Sequence, residues 1–270
     1  CVVLPVLLVA WAWSMEGRVG LPIVQSTAAG LALASGGLVL IGSGMSALWF
    51  RGGGLPMNAF PPARLVTSGA YGIVPHPIYV GFSLVCVGVS MCAGSRAGFW
   101  VVSPLVMLGC AALVWGYERH DLVKRFGGMA RARLSLPRDG DGAASWWDVA
   151  SVQVLVLLPW AVLYEVVGHI QPRDVIGAHF SFERGWPVWV WTEAVYAGVY
   201  PFVILAPLAA RTSGVLRRFC VAGWVGTAIG MLGFVAIPLV AVPREFAGDG
   251  WLAWLLRMER GDGVGGYAAF

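Results

Sequence analysis

A histidine, two tyrosines and a glutamate, held in two separate segments, carry the chemistry this sequence offers. The first segment, residues 52–82, reads GGGLPMNAFPPARLVTSGAYGIVPHPIYVGF and ends in His76-Pro77-Ile78-Tyr79 at the start of an apolar run. Proline suits the first turn of a helix, where its missing N–H is not needed. Such a start leaves free backbone donors and the positive end of the dipole at a membrane surface, a setting for an anionic ligand group. His76 and Tyr79 are spaced to touch the same ligand. The second segment, Tyr117-Glu118-Arg119-His120-Asp121-Leu122-Val123-Lys124-Arg125-Phe126-Gly127, continues an apolar span, so Glu118 stands where that helix leaves the membrane. The dipole disfavours a carboxylate at a helix C-terminus, which points to a cationic partner. Taken singly, a capping histidine and a solvated helix end are the ordinary readings. The pair together is not generic.

The elements that must position these residues are membrane helices. Of 270 residues, 58% are hydrophobic and only 12% charged, where a soluble domain carries about 25% charged. So few charges cannot clothe a soluble globule, which excludes a soluble enzyme, a disordered chain and a nucleic-acid binder. The net charge of +4 belongs to loops between apolar runs. Spans of about 20 apolar residues read at 1–13, 21–50, 77–94, 98–117, 149–170, 188–209 and 218–243, some of them marginal. The expected fold is therefore all-α, polytopic, with six or seven transmembrane helices. Gly94-Ser95-Arg96 reads as a tight turn, and Trp251, Trp254 and Leu255 read as an interfacial helix. Lys and Arg are richer in the loops 51–76, 118–148 and 210–217 than in the opposite set, which puts those loops on the cytoplasmic side. The His76 and Glu118 segments then share one face. Gly42-Ser43-Gly44-Met45-Ser46-Ala47 fits a loose dinucleotide pattern but lies inside a span, so small-residue helix packing is the expectation there, and at Gly226 and Gly230. Five cysteines show neither a disulfide framework nor metal spacing. The chain opens on Cys1 inside an apolar run and stops at Phe270, which reads as a fragment.

The ordered set Leu65-Val66-Thr67-Ser68-Gly69-Ala70-Tyr71, His76-Pro77-Ile78-Tyr79-Val80-Gly81, Glu118, Leu122, Phe126-Gly127 and Leu136-Pro137-Arg138 resembles the membrane-embedded isoprenylcysteine carboxyl methyltransferase family, with its bacterial and phospholipid-methyltransferase relatives. The resemblance covers about residues 20–140. It implies S-adenosylmethionine as cofactor, held by His76, Tyr79 and Glu118 with Gly69 and Tyr71 shaping the loop, and a lipophilic acceptor entering from the bilayer. It also implies a bacterial cytoplasmic membrane. Four positions depart from that family: Pro75 where an arginine is usual, Arg119 where the glutamate is usually doubled, and Ala130 and Arg133 in place of tyrosines. Arg119 or Arg64 would then have to supply the missing guanidinium.

A glycine-rich, charged stretch at 126–145 reads as a linker, which gives two domains, 1–143 and 144–270. The second half, with Phe180-Ser181-Phe182-Glu183-Arg184-Gly185-Trp186-Pro187, Tyr200-Pro201 and the prolines 238 and 243, resembles the opening of the inositolphosphorylceramide-synthase-like branch of the type-2 phosphatidic acid phosphatases, ending before its catalytic motif. Glu165 and His169, one turn apart, are expected to pair, and Glu193 is a third ionisable group near a span. Two other functions stay open: a lipid phosphatase or inositolphosphotransferase-like protein, and a non-catalytic membrane scaffold.

Overall fold

The computed structural model describes residues 3–55, 60–128, 131–169, 176–178, 186–237, 239–241 and 249–259. The chain is an all-helical, polytopic membrane protein. Five helical stretches are long and apolar enough to cross a bilayer: Thr27–Gly52, Gly98–Phe126, Trp146–Tyr164, Thr192–Ala209 and Ser213–Gly233. Pro77–Ala93 is a shorter apolar helix. Among the described residues the exceptions are two three-residue strands, β1 (Ile176–Ala178) and β2 (Leu239–Ala241), paired in parallel. The chain divides into two compact units, Cys1–Ser135 and Leu136–Phe270. This division precedes residue 143 because the connector's second part is bonded into the later unit. Gly140 and Gly142 carbonyls accept from the Gly214 and Ser213 amides, and Arg217 donates to the Pro137 carbonyl.

The first unit contains α1 (Val3–Met15), α2 (Thr27–Ala47), α3 (Ala70–Ile73), α4 (Pro77–Ala93), α5 (Ser103–Leu113) and α6 (Arg119–Phe126). Ser26 caps α2 by accepting the Ala29 amide. Gly94, at φ +62, ends α4 in the left-handed conformation, the tight turn expected there. Two π-turns, Gly98–Val102 and Val114–Glu118, flank α5 and join it to α6 as one helical stretch. The helix that holds the span expected to end at 117 continues as the charged α6 to Phe126.

Helices α2 and α4 are antiparallel and meet along glycines. Gly30 and Gly37 on α2 face Gly88 and Gly81 on α4, and Gly44 lies against Pro77 and Ile78. The seven-residue spacing on both helices is the period that keeps one seam facing a partner over several turns. A Cβ on Gly37 would stand 2.5 Å from the Gly81 carbonyl oxygen, and one on Gly81 would stand 2.5 Å from that of Gly37. Backbones approach this closely only where both sides lack side chains. Gly44 therefore serves packing, as expected. Gly42, Gly226 and Gly230 do not, because a Cβ at each would meet nothing within 4 Å.

Glu16, between α1 and α2, anchors the other end of the unit. Its carboxylate accepts from the Ser95 hydroxyl (2.7 Å) and from the Arg96 (2.8 Å) and Ala97 (3.2 Å) amides. The Ser95 hydroxyl, followed by these amides, holds its pKa below the ordinary 4.5. A depressed carboxylate contributes stability above its unfolded value and loses it as pH falls through the folded one. Hydrogen bonds to a charged group are worth about 1.5–3 kcal/mol each. Glu16→Ala is therefore expected to lower the thermal midpoint in detergent at pH 7. The gap to wild type should close below about pH 4.5, and a gap that is constant across pH would refute the anchor.

The second unit contains α7 (Trp146–Val152), α8 (Leu158–His169), α9 (Thr192–Leu205), α10 (Ser213–Ala236) and α11 (Trp251–Glu259). Ser145 and Asp148 form a reciprocal capping box at α7. Val152, Val156, Leu216 and Cys220 form its core, and Trp224 on α10 donates its indole N–H to the Leu155 carbonyl. Trp251 and Trp254 on α11 are exposed and Ala253 is buried. Glu193 is buried in the first turn of α9, where the dipole favours a carboxylate. The side chains of Glu165 and His169, and residues 179–185, lie outside the described residues.

Candidate functional site

The site lies where α4 begins and the long helix through α5 passes its second π-turn. His76 occupies the N-cap of α4 at φ 51, ψ 55, the one non-glycine residue with positive φ among those described. The following proline disfavours helical backbone at this position, and left-handed geometry in a non-glycine residue stores about 1–3 kcal/mol. The His76 carbonyl accepts the Tyr79 (3.0 Å) and Val80 (3.2 Å) amides. Pro77 has no N–H. The free donors expected at this helix start are therefore mostly spent, a correction to the sequence reading.

The backbone twist turns the imidazole toward Glu118, with His76 Nδ1 3.2 Å from Glu118 Oε1. Both side chains keep partial exposure, 21% and 26%. Tyr79, one turn along, holds its ring 6.2 Å from the imidazole. The second carboxylate oxygen, Glu118 Oε2, is buried and makes no well-formed hydrogen bond, with the Tyr79 phenol in reach of the carboxylate. An orphaned buried acceptor is costly, about 1–3 kcal/mol and more for a charged group, and calls for a donor or a cation. Glu118 reaches this position through the π-turn. The Arg119 amide donates to the Val114 carbonyl, five residues back, and the extra residue rotates the chain beyond it by about 100° relative to an unbroken α-helix.

Tyr71, from the short α3, packs against the cluster Ala47, Leu48 and Val66. Burial first, and the nearby Glu118 charge second, push its phenol well above the ordinary tyrosine range. It stays a protonated donor at neutral pH. Gly69 precedes α3 at φ 68, ψ −137, a conformation reserved for glycine. The connector after α6 closes over this loop, with the Arg133 and Leu134 amides donating to the Gly72 (3.0 Å) and Ile73 (2.8 Å) carbonyls. Arg125 ties α6 to the proline loop through the Pro62 carbonyl and pairs with Asp121. So the first part of the expected linker is docked structure.

Of the residues singled out from sequence, His76, Tyr79, Tyr71 and Glu118 come together, and Gly69 stands beside them as the hinge of the loop. Arg119 and Arg64 are exposed, as is Arg51. Sequence reasoning missed Arg51, whose Nη1 donates to Ser68 Oγ at 2.9 Å. A Cβ on Gly69 would stand 2.7 Å from that same Nη1. Its signal was its place as the first charge after a long apolar run.

Residues 25–128 match the sequence model of the phospholipid methyltransferase family. That stretch contains all five candidate residues and ends just after α6, within the first unit. No curated protein and no solved structure matches the chain. The similarity makes the first unit like a membrane methyltransferase. It does not reach the second unit, whose phosphatase-like resemblance gains nothing from these comparisons.

Proposed function

We propose that the first unit is an S-adenosylmethionine-dependent methyltransferase acting on a lipophilic acceptor that reaches the site from the bilayer. The observation that carries this reading is the buried, unpartnered Oε2 of Glu118, inside a stretch similar to membrane methyltransferases. S-adenosylmethionine would supply an electrophilic methyl group on a sulfonium. The residues present fit such a group. A buried carboxylate oxygen with no well-formed hydrogen bond suits a cation, the Tyr79 phenol can donate to the same carboxylate, and the Tyr71 phenol suits a polar atom of the ligand. Glu118 would hold the cationic part, and His76, bonded through Nδ1, would fix the carboxylate's orientation while keeping Nε2 for the ligand. Displacement at a methyl group needs little covalent help, so the chain contributes alignment and exclusion of water. The closed connector and the apolar flanks of α4 and α5 serve that purpose. Loops 51–76 and 118–148 would face the cytoplasm.

The test uses the full chain in lipid nanodiscs with cofactor labelled in its methyl group. Label is expected in the organic extract when aminophospholipid or an isoprenylated cysteine is supplied. No incorporation from either, and no heat on titration with millimolar cofactor into folded protein, would replace the enzyme reading with the scaffold.

A further inference from the structure

Resting on that cofactor reading, the geometry points to Arg51 as the residue that binds the anionic, carboxylate end of the ligand whose cationic part Glu118 holds. A zwitterionic amino-acid arm needs a cation as well as an anion in its site. His76 is engaged with Glu118 through Nδ1, and the first turn of α4 has few amides to offer, since Tyr79 and Val80 bond back to His76. Arg125 is bound to Asp121 and the Pro62 carbonyl. Arg51 differs from these. It lies in the π-turn Leu48–Gly52 at the end of the α2 stretch, and its guanidinium is held against the loop that carries Tyr71.

Two contacts fix that position. Nη1 donates to Ser68 Oγ, and the bare Cα of Gly69 makes room for it where a Cβ would collide. Gly69 is two residues from Tyr71, a reach of about 7 Å at most. The phenol of Tyr71 senses the Glu118 charge. A guanidinium has five donors in a planar fork that matches a carboxylate, and the Ser68 bond uses one of them. Gly69 thus acquires a reason beyond loop shape, because any side chain there would displace the arginine.

Calorimetry on the full chain in nanodiscs, with S-adenosylmethionine and its decarboxylated analogue, tests the assignment. Wild type is expected to bind the intact cofactor about 10-fold or more tightly than the analogue, the effect of a charge-assisted pair at a partly exposed site. Arg51→Gln should lose that advantage, binding the two about equally and the analogue as well as wild type does. Arg51→Lys, which keeps charge but not the fork, should fall between, and guards against a variant that fails to fold. Unchanged preference for the intact cofactor in Arg51→Gln, or equal loss of both ligands, overturns the role of Arg51 alone. Wild type that binds neither ligand overturns the cofactor reading, and this assignment with it.

Discussion

Glu118→Gln is expected to weaken cofactor binding by about 100-fold or more while the protein stays folded. Glutamine keeps the shape and the hydrogen-bonding reach toward His76, so the change is chiefly one of charge. Removing one partner of a buried charge pair costs about 3–5 kcal/mol in the ligand complex, and each 1.4 kcal/mol is tenfold in affinity. Stability should move far less. The His76–Glu118 contact is partly exposed, and such pairs contribute about 0–1 kcal/mol. Titration calorimetry with S-adenosylmethionine, beside a thermal melt of the same sample, separates the two quantities. Equal affinity in wild type and variant would mean that the orphaned oxygen does not meet the ligand's cation. Equal loss of melting temperature and affinity would make Glu118 structural.

The largest effect on stability is expected at the glycine seam. Gly37→Ala puts a methyl 2.5 Å from the Gly81 carbonyl oxygen and 2.8 Å from Val85 Cγ2. Neither backbone can yield without parting α2 from α4. Overpacking in a tight interior costs about 1–3 kcal/mol, and the loss of backbone contact along the seam adds to it. The neighbouring Gly36→Ala is the control, since its Cβ would meet nothing within 4 Å and alanine gains up to about 1 kcal/mol in helix propensity. Thermal unfolding in detergent should therefore rank Gly36→Ala at or above wild type and Gly37→Ala far below. A seam that tolerates both would make the α2–α4 pairing a loose one.

Much of the architecture follows from residue order. Apolar runs gave the spans, Gly94-Ser95-Arg96 gave the turn, and the excess of basic residues put the histidine and glutamate segments at one face, where His76 and Glu118 do meet. What stayed hidden depended on where the chain deviates from regular winding. Nothing in Val114-Trp115-Gly116-Tyr117 announces a π-turn, since an i→i−5 bond uses the same residue types as i→i−4. The left-handed backbone at His76 is also illegible, because His-Pro predicts extended geometry. Small residues were a mixed guide. Gly30, Gly37 and Gly44 share a seven-residue register with a partner, whereas Gly226 and Gly230 have the composition but meet nothing within 4 Å among the described residues. Arg51 escaped notice because its role arises from the bare Cα of Gly69, far along the chain.

The wide turn at Val114–Glu118 gives its helix one residue more than unbroken winding would need to cover the same rise. Shedding Gly116, which touches nothing within 4 Å, would leave a helix still able to traverse the bilayer, yet swing everything beyond it by about a quarter of a revolution or more. Selection for mere insertion into lipid is blind to that swing, whereas the meeting of Glu118 with His76 depends on it.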